Sequence, residues 1–193
     1  PQIGERMLKR GDEFVAHGRT NAERQGDFHE QDEARLIDET TQTIAKFTGK
    51  KPVGWMSPWL SQSRVTLDLL QEAGYVYQCD WPLDDQPAWF RTASGPILSV
   101  PYAHDLNDSL ECVARRTPSQ LWCDNLIDQF DEMLDESRRR PLLWLPARGA
   151  SHDGALRSQH PLPGCDTAGD GTGPGAGPQF LPLSAPSRQR CAS

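Results

Sequence analysis

His17 and Asn21 stand four residues apart, so a tight turn or a first helical turn would aim both at one point. An imidazole nitrogen and an amide oxygen can together bind a borderline cation such as zinc. A histidine at the end of a strand is equally well a hydrogen-bonded piece of scaffold. Asp80, Asp84 and Asp85 put three carboxylates within six residues. Chemically they offer a general base or the group that orients one; structurally they suit a solvated turn. Trp55, Trp59, Trp81 and Trp89 crowd the same stretches, and Tyr102 follows. Such rings can wall a site for a flat or sugar-like ligand, or simply pack a core.

These side chains need elements to position them, and the apolar pattern supplies a sequence of short strands and helices. Met7–Arg10 reads as a helix end with Gly11 in the left-handed position after it. Glu13–His17 reads as a strand. Residues 29–48 read as a helix with Ala34, Ile37, Thr41, Ile44 and Phe47 on one face, stopped by Gly49 and Pro52. Val53–Met56 is a second strand. Ser63 caps a helix carrying Val65, Leu69 and Leu70, which Gly74 closes. Tyr75–Cys79 and Ile97–Val100 are further strands. Thr117 as N-cap and Pro118 at the first helical position open a helix to about Arg139, with Trp122, Leu126, Ile127, Phe130, Met133 and Leu134 on its apolar stripe. Pro141–Leu145 begins one more strand. Strands alternating with helices predict an α/β fold with a parallel sheet, open or closed into a barrel. In both forms function sits beyond the carboxyl ends of the strands. His17, Ser57–Trp59, Asp80–Asp85 and Pro101–Asp108 all fall at such exits.

Length, charge and cysteine usage narrow the function classes. With 193 residues the chain holds one domain, or one domain and a tail. A net charge of −7 argues against nucleic acid and anionic membrane as partners. Arg138–Arg140, the basic cluster, suits the last turn of a helix. No run approaches the roughly 18 apolar residues of a membrane span, and the first residues show no secretory signal. The first residue is Pro, not Met, and the true N-terminus is expected upstream. Five scattered cysteines, an odd number with no C-x-x-C pair, suit small core residues in a reducing cytoplasm rather than a disulfide or zinc framework.

Composition breaks near residue 142. Residues 142–193 contain no Val, Ile, Lys, Glu, Tyr, Met or Asn, and carry eight Gly and seven Pro. Such a segment cannot bury enough apolar surface to offset its ordering entropy. We therefore expect a domain over residues 1–145 and a Gly/Pro-rich disordered tail over 146–193. Loss of whole residue classes is also what a GC-rich gene yields when read out of frame, and a frameshift near residue 142 is the expectation.

Several segments resemble one family as a set. Gly11-Asp12-Glu13-Phe14-Val15-Ala16-His17-Gly18-Arg19-Thr20-Asn21 resembles the second motif of the polysaccharide deacetylase (NodB-homology) family, in its allantoinase-like branch. Gly54-Trp55-Met56-Ser57-Pro58-Trp59 is similar to the third motif. Gly74–Asp80 with Asp84-Asp85-Gln86-Pro87 is similar to the fourth. Val100-Pro101-Tyr102 with Asp105–Asp108 fits the next loop. The resemblance spans residues 3–142. It implies a distorted (β/α) barrel, here partial, and hydrolysis of carbon–nitrogen bonds other than peptides. The implied substrates are N-acetylated sugars or small ureides. In metal-dependent members an Asp and two imidazole or amide side chains hold a divalent metal, a second Asp activates water and a late His is the acid. His17 and Asn21 match the two ligand positions. The branch includes members without metal, so the implied cofactor is zinc or none.

Asp12 stands where the branch carries His, and Ser57 where the wider family carries Arg. The first and last motifs, which bring base and acid, are not matched. From the residues we take Asp80 and Asp84 as candidate catalytic groups, His17 and Asn21 as metal ligands, and Trp59, Trp81 and Tyr102 as the substrate wall. The expected chain is a hydrolase fragment of low activity whose parent is a candidate homo-oligomer. A non-catalytic remnant or small-molecule- or carbohydrate-binding module is the alternative.

Overall fold

The structure is a computed structural model and describes residues 2–144. The expected tail, and any strand continuing past Trp144, lie outside the described residues. The described chain forms two compact units, residues 2–104 with 139–144, and residues 105–138.

In the first unit, α1 (Gln2–Arg10) ends at Gly11, whose φ of 78° lets its amide turn back to the Leu8 carbonyl at 3.1 Å. Helix α2 (Glu30–Thr48) has three acidic residues in its first turn, where they complement the helix dipole, and Gly49 in the left-handed conformation at its end. Its buried face is Glu33, Leu36, Ile37, Thr40 and Thr41. Of the expected face, Ile37 and Thr41 are buried and Ala34 and Ile44 half-buried; Phe47 departs from it, exposed near the helix end, where it meets Phe14 edge-on at 6.2 Å. Helix α3 (Thr66–Glu72) begins three residues past Ser63, the expected cap: Val65 takes the cap position, and Ser63 shapes the entry, its hydroxyl accepting the Val65 amide at 3.1 Å while the Thr66 hydroxyl accepts the Ser63 amide at 2.8 Å.

The sheet holds β1 (Gly54–Trp55), β2 (Tyr77–Gln78), β3 (Ala88–Arg91) and β4 (Pro96–Ser99) in the order β1-β2-β4-β3. β1, β2 and β4 are parallel, with Gly54 opposite Tyr77 and Tyr77 opposite Leu98. β3 returns antiparallel along β4, Trp89 opposite Leu98. Sequence periodicity missed β3, because its alternation lies within a single four-residue run between Pro87 and the Thr92–Gly95 turn. Residues 13–17 join β1 only at Ala16: the Ala16 amide reaches the Gly54 carbonyl at 2.9 Å and the Met56 amide reaches the Ala16 carbonyl at 2.8 Å. The expected first strand is thus a single parallel bridge. Among the described residues the sheet is open, not closed into a barrel, and Pro141–Trp144 pairs with no strand; Leu143 instead donates its amide to the Asp85 carbonyl at 2.8 Å.

Ala16, Leu36, Ile37, Trp55, Leu70, Tyr75 and Ile97 make the core between α2, α3 and the sheet. Tyr75 meets Trp55 edge-on at 5.3 Å and shares a 2.7 Å hydrogen bond between its hydroxyl and Thr41. Gly54 is required where it stands: a Cβ there would fall 2.2 Å from the Tyr77 ring, which crosses β1 to donate its hydroxyl to Glu13.

The second unit contains a wide helical turn, Ser109–Ala114, and α4 (Ser119–Glu136). α4 begins one residue later than the sequence suggests, since Pro118 is still extended and acts as the cap position. Trp122 and Met133 of its apolar stripe are buried, whereas Ile127 is exposed. No helix among the described residues is long and apolar enough to cross a membrane.

Candidate functional site

Parallel pairing brings three strand exits side by side. The chain leaves Ala16 into His17, Trp55 into Met56-Ser57, and Gln78 into Cys79-Asp80, all at the same end of adjacent strands. β4, parallel to β2, delivers Pro101 and Tyr102 at that end too.

His17 is half-buried, and its Nδ1 lies 2.7 Å from the Met56 carbonyl oxygen. A carbonyl only accepts, so Nδ1 carries the proton and Nε2 of the neutral ring is a bare lone pair. That Nε2 is 3.2 Å from Asn21 Oδ1. Two acceptors at this distance need something between them: a second ring proton, an amide turned through half a revolution, or a cation. The pair therefore supplies one nitrogen and one oxygen donor with the chemistry of a borderline metal site. No group of three or more His, Cys, Asp or Glu side chains with ligand spacing occurs among the described residues. His17 and Asn21 are the two side chains that could hold such a cation, and the described residues offer no acidic third.

Asp80 is buried and held from three sides. Oδ1 accepts the Ser57 amide at 2.7 Å, and Oδ2 accepts the Ser57 hydroxyl at 2.6 Å and the Gln62 side-chain amide. Its own amide donates to Gln78 Oε1 at 2.6 Å, and Gln78 donates to Ser99 Oγ at 2.7 Å. Burial pushes the carboxyl pKa up; the hydrogen bonds from Ser57 and Gln62 and the nearby His17 oppose that shift without cancelling it. A carbon-13 NMR titration of the Asp80 carboxyl is expected to give a midpoint above the ordinary 3.8. Because the folded chain then holds this proton more tightly than the unfolded chain, the stability from this group is complete below the ordinary carboxylate pKa. It is lost as pH rises through the folded value. A midpoint at or below 3.8 would show that the three donors outweigh burial.

The polar chain continues inward. The Ser57 hydroxyl accepts the Trp55 indole N–H at 3.0 Å, and the same N–H reaches Gln25 Oε1 at 2.9 Å. Gln25 donates through Nε2 to Glu33 Oε1 at 3.0 Å. The fully buried Glu33 also accepts the Ser63 hydroxyl at 2.6 Å and the Thr66 hydroxyl. A continuous chain thus runs from α2 to Asp80. Sequence reading missed Gln25, Glu33 and Gln62. Glu33 could have been found, four residues before Ile37 on the apolar face of α2; nothing local marks the other two.

The remaining candidates lie around this centre. Trp59 is 64% exposed; its indole N–H reaches the Asn21 carbonyl at 2.6 Å and Arg24 sits 5.2 Å from its ring centre. Trp81 is 44% exposed, donates its indole N–H to Gln62 Oε1 at 3.2 Å and packs on Phe90. Tyr102 is half-buried with its ring edge-on to His104 at 6.2 Å. Asp84 is separate from the Asp80 cluster in its partners: it is exposed and forms a 2.5 Å ion pair with Arg140. Leu83, Asp84 and Asp85 all have positive φ, as do Trp59 and Leu60, so both loops beside Asp80 hold non-glycine residues in the left-handed region. Cys79, buried beside Asp80, has its thiol pushed up to about 12, chiefly by burial, and is not a thiolate nucleophile at neutral pH.

No family model matches the chain, and no curated protein matches it either. Solved structures do. A probable polysaccharide deacetylase from Pseudomonas aeruginosa PAO1 aligns over 74% of this chain and 48% of its own, with 26% identity and a TM-score of 0.63. The Puue allantoinase aligns over the same shares with 27% identity and a TM-score of 0.66. A polysaccharide-deacetylase-type structure from Mycobacterium smegmatis, 19% identical, aligns over 66% of this chain and 47% of its own with a TM-score of 0.59, and speaks to the fold alone. The chain spans about half the length of these structures. Over its described residues it is a polysaccharide deacetylase- and allantoinase-like, NodB-type α/β fold.

Proposed function

We propose that the chain is part of a hydrolase for carbon–nitrogen bonds other than peptides, acting on a small ureide or an N-acetylated sugar. One observation carries this reading: the half-buried His17, with the exposed Asn21 beside it, and the buried Asp80 stand on adjacent parallel strand exits, in a fold shared with an allantoinase and a deacetylase. We propose further that the open sheet is a partial barrel, that residues 1–145 are the domain, and that the protein works in the cytoplasm.

Hydrolysis of such a bond needs a water deprotonated, an oxyanion stabilised and the leaving nitrogen protonated. His17 Nε2 and Asn21 Oδ1 would hold a divalent metal if one is used; when bound it would acidify a water and polarise the carbonyl. Asp80 already accepts three hydrogen bonds, so its role here is to fix loop 57–62 and to set the charge beside His17. Trp59, Trp81 and Tyr102 flank the site as flat surfaces. Asp84 enters through its ion pair with Arg140, which ties down the loop after Asp80. A binding module without turnover is the second reading, favoured by the exposure of Trp59, Trp81 and Trp89.

The test is turnover of allantoin and of N-acetylated oligosaccharides, with and without zinc, by this chain and by a form extended at both ends in the frame that restores the unmatched motifs. The chain alone is expected to be nearly inactive. The extended form is expected to turn over one of the two substrates and to lose about 10²–10⁴-fold in its His17→Ala variant. Equal turnover by both forms, or activity indifferent to His17, would overturn the assignment.

A further inference from the structure

The sheet has two faces, and α2 and α3 cover one of them. Ala16, Trp55, Phe90 and Ile97 point to that side, so the residues alternating with them point to the other. Strand pairing sets Val15, Gly54, Tyr77, Leu98 and Trp89 in one row across this second face, with β2 in the middle. The row is apolar, and both its ends are open: Val15 is 39% and Trp89 65% exposed. A parallel sheet is ordinarily covered on both faces, because each carries apolar side chains that water does not favour. One row nearer the strand starts, the same face carries a charge at each edge. Glu13 is fixed there by the Tyr77 hydroxyl, which reaches it at 2.6 Å across Gly54. Arg91 is there by the alternation of β3, opposite Pro96. Both are exposed, and no carboxylate pairs with Arg91 among the described residues.

We infer that this face docks a second copy of the chain, sheet against sheet, about a two-fold axis that runs along β2. An axis parallel to the strands keeps their direction and exchanges the two edges of the sheet. It therefore lays Val15 of each copy against the partner's Trp89, Glu13 against the partner's Arg91, and Tyr77 near its own counterpart. Each contact occurs twice, and the assembly closes as a dimer. Stacked sheets of this kind lie about 10 Å apart, a gap that Trp, Tyr and Leu side chains fill. Many partners could match an apolar row. Opposite charges at symmetric places about the central strand are what self-pairing in particular requires. With a net charge of −7 on each copy, long-range attraction is absent. The apolar row supplies the affinity, and the two rim ion pairs set the register. The inference goes beyond the proposed function: Glu13, Val15 and their opposites lie on the strand-entry side of His17, and dimerisation needs no turnover.

The test is sedimentation equilibrium of the full chain from micromolar to millimolar concentration. A monomer–dimer equilibrium is expected, with a dissociation constant of about 10–100 μM for so small an interface. Over the same dilution the six tryptophan indole signals are followed by nitrogen-15 NMR. The Trp89 signal, assigned by Trp89→Phe, is expected to move, and that of the buried Trp55 to stay. Trp89→Glu, Arg91→Glu and Glu13→Arg are each expected to weaken self-association about tenfold or more. An equimolar mixture of Arg91→Glu and Glu13→Arg is expected to recover the native affinity, because every edge position in the mixed dimer again faces its opposite charge. Trp89 and Arg91 are exposed, so their variants keep the test independent of Glu13, whose replacement also removes the Tyr77 bond; an unchanged Trp55 signal shows an intact core. A chain that stays monomeric at millimolar concentration would overturn the proposal. So would a dimer indifferent to Trp89→Glu and Arg91→Glu, or a mixture of folded variants no tighter than either alone. None of these outcomes touches turnover, so the hydrolase reading stands or falls separately.

Discussion

Asp80→Ala is expected to lower stability by about 3–5 kcal/mol, a large share of the roughly 5–15 kcal/mol that holds a domain together. The loss is that of an acceptor with three donors left behind. The Ser57 amide and hydroxyl, at 2.7 and 2.6 Å, are fully buried and have no water to turn to. The Gln62 amide loses its partner too, and with it the setting of the Trp81 indole. Asp80→Asn separates charge from shape. Its Oδ1 can keep the Ser57 amide, but its NH₂ then faces the Gln62 NH₂ and the Ser57 hydroxyl. Gln62 can answer only by turning its oxygen inward, which puts its NH₂ against the Trp81 N–H. Urea denaturation should therefore rank the native chain above Asp80→Asn and Asp80→Asn above Asp80→Ala, with the Trp81 indole signal displaced in both variants. An Asp80→Ala protein as stable as the native one would show that Ser57 and Gln62 find other acceptors.

Glu33→Leu is the second large loss, again about 3–5 kcal/mol, at a residue far along the chain from any motif. Glu33 is fully buried, and three side-chain donors converge on it from Gln25, Ser63 and Thr66. Leucine fills similar space but accepts nothing, so two hydroxyls and an amide are orphaned in the interior. The effect should also travel. Gln25 keeps its oxygen toward Trp55 because its NH₂ is claimed by Glu33; without that claim the carboxamide is free to turn, and the Trp55 N–H is left with Ser57 alone. The expected result is a lower denaturation midpoint together with a shifted Trp55 indole signal. Glu33→Gln, which retains an acceptor, should cost less than Glu33→Leu. A Glu33→Leu chain within about 0.5 kcal/mol of native would mean that the surrounding hydroxyls repair the gap among themselves.

The split between what the sequence disclosed and what it concealed follows the range of the interactions. Local rules located α2, the β1 and β2 segments and the glycine stops at Gly11, Gly49 and Gly74, because each is written within a few residues; they set the start of α3 at Ser63, whereas the helix begins at Thr66 with Val65 in the cap position. They also put His17, Ser57 and Asp80 at strand exits, which parallel pairing then brought side by side. They could not show that Ser57 and Asp80 bond each other across 23 positions, or that Gln25 links Trp55 to Glu33. Such partners are chosen by tertiary packing, and polarity at a buried position leaves at most a hint, as at Glu33. Asp84 shows both. Local reading puts it in a turn-forming loop, and the loop is there as three successive left-handed residues, but its ion pair with Arg140, 56 positions on, is marked by nothing nearby.

The antiparallel return of β3 bears on how this chain behaves in a crowded solution. An unpaired sheet edge is a template on which another chain's strand can add. The edge that β3 offers is four residues long, starts just after Pro87 and ends in Arg91, and its partner β4 opens with Pro96. Antiparallel geometry turns every second residue's backbone groups toward β4, so few remain facing outward. A proline before the edge strand, a cation at its end and a short span are the features that discourage strand addition. On this side the sheet edge thus carries its own obstacles to intermolecular growth, although Trp89, at 65% exposure, keeps a large apolar ring in the open.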